Sequence, residues 1–160
     1  MDPEAEIVLL GISMGGATVM MTSCMEELPD NVAAVIDDCG YTNVWDVFAS
    51  QLKRLFGLPA FPVIHSASLM NKMHNGFFLD EADTVKMLEK TDPDLPMLFI
   101  HGELDAFVPV EMLEPLYEAK RGNKEKLLVP DTDHGNSYVR QPELYFGTIR
   151  SFLERNGRPC

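Results

Sequence analysis

Basic residues are scarce in this chain: 13 Lys and Arg stand against 25 Asp and Glu, a formal net charge of −12 over 160 residues. A body that acidic repels phosphate backbones and anionic bilayers, which disfavours a nucleic-acid partner or a polybasic membrane attachment. Cysteine is scarce too. Cys24, Cys39 and Cys160 are widely spaced and odd in number, and no Cys-x-x-Cys pair occurs. That argues against a disulfide framework or a thiolate zinc site and fits a reducing, cytoplasmic setting. Long hydrophobic runs are missing: the longest, Ile7–Ile12, is interrupted by Gly11, far short of the ~20 apolar residues of a membrane span. A basic leader is missing as well, since Asp2, Glu4 and Glu6 occupy the place of a signal peptide's positive region. No internal repeat or low-complexity linker breaks the chain, so a single compact domain is expected.

What is present is an alternation of short buried-type strands and amphipathic helices. Residues 6–10 (EIVLL), 32–36 (VAAVI), 96–100 (PMLFI) and 126–129 (KLLV) are apolar, short and bounded by Gly, Pro or Asp, the pattern of parallel strands covered on both faces. Helices are expected over 16–28, 110–120 and 142–155; in the last, Leu144, Ile149, Phe152 and Leu153 form an inward stripe behind Pro142 at an early helical position. The fold class is therefore α/β, a parallel sheet of about four strands with flanking helices. Residues 42–94 break the rhythm. They are expected as an insert of three helices, 44–56, 62–73 and 80–90, rich in Phe48, Phe56, Phe61, Phe77 and Phe78. This divides the domain into a core of 1–41 and 95–160 and a helical lid insert, 42–94, whose aromatic residues read first as a local core of the insert and, more sharply, as a lid over an apolar acyl cleft, two readings that are compatible.

The sharpest chemical signal is Gly11-Ile12-Ser13-Met14-Gly15-Gly16, directly after the first strand. It satisfies G-x-S-x-G in the strand–turn–helix setting that gives the pattern meaning. The turn strains the serine backbone, and small residues two before and two after it let neighbouring backbones approach. The amide of Met14 then points where a helix start favours negative charge. A serine alone is a poor nucleophile and needs a base and an orienting acid. His134 follows the fourth strand in Asp131-Thr132-Asp133-His134-Gly135, and Asp105 follows the third in His101-Gly102-Glu103-Leu104-Asp105. Both loops lie at strand C-termini, where parallel sheets place functional groups. Glu103 competes for the acid role, and His101 for the base. His65 and His74 fall in the insert, and Asp131 and Asp133 read as solvated turn residues.

The order Ser13, Asp105, His134 is that of α/β-hydrolases. Together GISMGG, HGELDAFVP and DHG resemble the second half of that superfamily over nearly the whole chain. The segment Asp38-Cys39-Gly40-Tyr41 resembles bacterial esterases and serine-aminopeptidase-like hydrolases. The resemblance implies Ser13 as nucleophile, His134 as base, Asp105 rather than Glu103 as orienting acid, and Met14 as one oxyanion-hole amide. It implies neither cofactor nor metal. The expected function is a serine hydrolase acting on an ester or related acyl bond of a small molecule, with a peptidase of the same fold as the neighbouring possibility.

The departure from the family pattern is equally informative. The family's nucleophile follows the fifth strand of an eight-strand sheet, whereas here it is residue 13. The first four strands and the loop that gives the second oxyanion amide have no counterpart, so a truncated α/β-hydrolase fold is expected. Loss of one oxyanion donor typically costs ~10²–10³ in rate, which opens a second reading: a silent fragment that persists by self-association. Ile7, Val8, Leu9 and Leu10 run without alternation, yet they should lie at the sheet edge, flanked only by Glu4 and Glu6. An exposed edge of that kind predicts a homodimer or larger oligomer, or pairing with a separate N-terminal half.

Overall fold

The computed structural model describes residues 5–158; Asp2, Glu4 and Cys160 lie outside the described residues. Four strands, β1 (Ile7–Ile12), β2 (Val32–Asp38), β3 (Met97–Gly102) and β4 (Lys124–Val129), form one sheet in the order β1-β2-β3-β4, and every neighbouring pair is parallel. β1, β2 and β3 outrun their apolar runs at the C-terminal end, because ladder hydrogen bonds continue through Gly11, Asp38 and His101, whereas β4 ends at Val129 as expected and gains Lys124 and Glu125 at its start by pairing with Met97 and Leu98.

Helices cover both faces. On one face α1 (Met14–Thr22), α4 (Thr84–Leu88) and α5 (Leu113–Ala119) pack Met20, Leu88, Leu113 and Leu116 against Val35, Met97 and Phe99. On the other, α7 (Pro142–Arg155) packs Tyr145, Phe152 and Leu153 against Ala34, Ile36, Leu98 and Ile100. The alternation of faces along β2 and β3 is the period-two geometry of a strand, with both sides apolar because both are covered. Among the described residues no helix is long and apolar enough to cross a membrane.

The helical insert departs from expectation in an instructive way. α2 (Val44–Phe56) forms over the expected residues, with the Asn43 side chain accepting from Trp45 N and left-handed Gly57 ending it. α3 (Val63–Asn75) ends in the same way at Gly76. The helix expected over 80–90 is instead a 3₁₀ turn at Leu79–Glu81 followed by the five-residue α4. Asn43 bridges Asp83 and Thr42 O accepts from Thr84 N, so backbone groups a continuous helix needs are committed to a neighbouring loop. Leu88 then enters the main core. The stretch 42–94 thus contributes α2 and α3 outside the sheet and α4 to it. α1 also differs from the expected 16–28: it starts immediately after Ser13 and closes at Thr22, where Cys24 and Met25 turn back onto Met21 and Thr22. The four-residue α6 (Ser137–Arg140), before α7, has no sequence-level counterpart.

Lys120, at the end of α5, is fully buried. Its ammonium donates to three carbonyls, Asp92 O at 3.0 Å, Pro93 O at 3.3 Å and Arg121 O at 2.6 Å. Burial lowers its pKa from the ordinary lysine value.

Candidate active site

Three loops meet at the C-terminal edge of the sheet. The first is the one-residue turn between β1 and α1. Ser13 has φ 57° and ψ −115°, a strained conformation for a residue with a Cβ. Its amide is anchored by donation to Asp38 O at 2.7 Å. A Cβ on Gly11 would lie 2.1 Å from Gly15 O, and one on Gly16 would lie 2.1 Å from Asp37 Oδ1. The turn therefore requires glycine at 11 and 16. A Cβ on Gly15 meets open space, so the expectation of crowding on both sides of the serine holds for Gly11 and moves from Gly15 to Gly16.

The second loop follows β3. Asp105 is buried, and its Oδ1 accepts from the amides of Phe107 and Val108, each at 2.9 Å. Its Oδ2 lies 2.7 Å from His134 Nδ1 and 3.4 Å from His101 Nε2. Burial works to raise the Asp105 pKa, but hydrogen bonds from His101 and His134 outweigh it and hold the carboxyl at about 2. The third loop follows β4 and carries His134 before left-handed Gly135. These two loops approach closely because β3 ends in Gly102, where a Cβ would lie 2.4 Å from Thr132 O.

His134 Nε2 lies 2.9 Å from Ser13 Oγ. With Nδ1–H donating to an ionised Asp105, the neutral ring presents its Nε2 lone pair to the Ser13 hydroxyl. The structure thus brings Ser13, His134 and Asp105 into one hydrogen-bonded row. The competitors do not reach Ser13 in this row, although His101 lies against Asp105. Glu103 is exposed, and His101 is buried with Nε2 3.0 Å from Val108 O. His65 stacks edge-on against Trp45 in the insert, and His74 lies near the end of α3. Asp131 and Asp133 are exposed.

A cleft of about 390 Å³ opens beside Ser13, walled by Met14, Val44, Val47, Phe48, Phe107 and Val108. Two lining features carried no local sequence signal. Gln51 reaches into this wall from α2, and the Phe107 ring lies 4.8 Å from the His134 ring, centroid to centroid. Beneath the site, Asp37 and Asp38 are both fully buried. Burial, reinforced by the neighbouring carboxyl of Asp38, raises the Asp37 pKa well above its usual range. Burial also raises Asp38, against the opposing influence of Tyr145 and His101. Cys39 is buried with φ 50°; burial, then Asp38 and Asp105, push its thiol far above the usual range. Ligand atoms of Cys39, Asp105 and His134 lie within 4.8 Å of one another. As a metal set they fit poorly, since the carboxylate and imidazole already face each other and the thiol resists ionisation.

No family model matches the chain. It is 29% identical over 144 residues to the uncharacterized protein YqkD of Bacillus subtilis, covering 90% of this chain and 46% of that protein. It is also 29% identical over 159 residues to human protein ABHD12B, covering 93% of this chain and 41% of the relative. The chain spans about half the length of the curated relatives it matches. Among solved structures, it superimposes on an esterase of Pyrococcus furiosus with a TM-score of 0.67 at 19% identity, covering 94% of this chain and 54% of that one. The acylaminoacyl peptidase of Pyrococcus horikoshii gives a TM-score of 0.67 at 17% identity, covering 98% of this chain and 25% of that one. The fold is that of the α/β-hydrolase superfamily over the part of it that this chain spans.

Proposed function

We propose that this chain carries the catalytic side chains of a serine hydrolase that cleaves a carboxylic ester or related acyl bond. The observation that carries the reading is the row Ser13 Oγ, His134 Nε2 at 2.9 Å, and His134 Nδ1 to Asp105 Oδ2 at 2.7 Å. Ser13 Oγ attacks the carbonyl carbon as its proton passes to His134 Nε2. Asp105, fixed by two backbone amides, holds the ring's tautomer and stabilises the imidazolium. The developing oxyanion accepts a hydrogen bond from the Met14 amide at the start of α1, where the helix dipole favours negative charge. His134 returns the proton to the leaving group, giving the acyl ester of Ser13. Water, deprotonated by the same nitrogen, releases the acid. The walls of the cleft carry no charged side chain, which suits a small neutral, apolar acyl group. α2 would roof it.

Treatment with a fluorophosphonate probe, followed by intact-mass and peptide analysis, tests this reading. One adduct on Ser13, absent in Ser13→Ala, is the expected result. An unlabelled folded chain would refute it.

The exposed edge favours a second property, compatible with the first. Among the described residues β1 pairs only with β2, and Ile7, Val8, Leu10 and Ile12 are exposed. Two copies joined antiparallel along β1 would satisfy both edges at once. A dimer mass by light scattering at micromolar concentration supports this, and a stable monomer of 17.9 kDa rejects it.

A further inference from the structure

We infer that Gln51 is a positioning residue for the acid–base pair, tying the helix that walls the cleft to the peptide segment that holds Asp105 and His134. The inference rests on the proposed reading of the triad. Gln51 projects from α2 and is 8% exposed. Its amide nitrogen donates to Phe107 O at 2.5 Å and Ala106 O at 3.3 Å. Its carbonyl oxygen accepts from Arg54 Nε at 3.3 Å and Nη2 at 3.2 Å. A guanidinium only donates, so Arg54 fixes which end of the amide is oxygen and turns the NH₂ toward the two carbonyls.

The gripped segment touches both partners of the nucleophile. The Phe107 amide donates to Asp105 Oδ1 at 2.9 Å, and the Phe107 ring covers the His134 ring at 4.8 Å with the planes inclined by 40°. One short peptide therefore sets the acid's orientation through its backbone and one face of the base through its side chain. Gln51 is what anchors that peptide to α2. The same helix presents Val44, Val47 and Phe48 to the cleft, so contact of an acyl chain with this wall and alignment of His134 share one rigid element. A misplacement of the imidazole by about 1 Å is enough to cost roughly a hundredfold in rate.

The test compares wild type with Gln51→Leu, which keeps the volume and removes both donors, and with Arg54→Met, an exposed change that frees the amide to turn. Two readouts are taken: the rate of fluorophosphonate labelling at Ser13, and the low-field proton resonance and pH titration of His134. Gln51→Leu is expected to slow labelling by roughly tenfold to a hundredfold and to broaden or shift the His134 Nδ1 proton. Arg54→Met should act in the same direction by a few-fold, and the thermal midpoint of Arg54→Met should stay near wild type. A labelling rate within twofold of wild type and superimposable His134 resonances in both variants would overturn the inference. If wild type itself fails to label, the hydrolase reading falls, while the His134 resonances still report whether Gln51 positions the ring. If Gln51→Leu loses its cooperative unfolding transition, Arg54→Met decides: unchanged His134 resonances reject the coupling, shifted ones support it.

Discussion

β1 and β3 are two strands of similar composition with opposite surroundings. Both are six residues long, IVLLGI and MLFIHG, and each feeds a loop that bears one member of the Ser13–Asp105 pair. Every residue of β3 is buried, whereas in β1 only Gly11 is. An unbroken apolar run thus states which environment suits a strand, and the sheet order decides which environment it has. Asp105 follows the fully packed strand, and Ser13 follows the edge strand.

The largest effect separating the two is expected at the end of β3. Asp105→Asn keeps the shape but loses the anion that fixes the His134 tautomer, so turnover should fall by about 10⁴, read as the rate of ester hydrolysis or of Ser13 labelling. Next comes packing. Phe99→Ala should cost about 3–5 kcal/mol in urea denaturation, because Phe99 is 0% exposed. Leu10→Ala, at a position 47% exposed, should cost less than about 1 kcal/mol. Equal costs would show that β1 is covered in solution and would turn the contrast into a measure of self-association.

A third comparison is pH. Asp105 is held at about 2, below an unfolded value near ~3.9, so its contribution is present above pH ~4 and lost as pH falls toward 2. Asp37 is shifted upward, so the folded chain keeps a proton the unfolded chain releases. Stability should fall as pH rises from ~4 through the raised pKa, by up to about 1.4 kcal/mol per unit. Asp37→Asn should flatten that slope, and an unaltered slope in thermal melts across pH 5–9 would contradict the shift. The smallest effect belongs to the ion pair between Glu6, at the start of β1, and Arg158. Arg158→Gln should cost under about 1 kcal/mol, with the difference from wild type vanishing at high salt.

The four parallel strands and the loops that carry Ser13, Asp105 and His134 were legible because their signals are local, while the choice of Asp105 over Glu103 needed the family resemblance. Apolar runs of strand length, a glycine-flanked serine between strand and helix, and polar residues just past strand ends need no knowledge of distant partners. What escaped depends on distant contacts. Gln51 meets Ala106 and Phe107 more than fifty residues away, and a glutamine within a helix carries no sign of it. Gly102 reads as an ordinary strand end until the carbonyl of Thr132 is brought against it. The segment 80–90 has helical spacing, but Asn43 and Thr42 claim the backbone near 83 and 84.

Lys120 gives the fold an internal chemical clock. Its ammonium is enclosed by three carbonyls, so an acylating reagent added to the native chain should modify the exposed lysines in minutes and leave this one for last. Modification at Lys120 would then mark only molecules that have opened around α5 and the 92–93 turn, and its rate would time that opening without any spectroscopic probe.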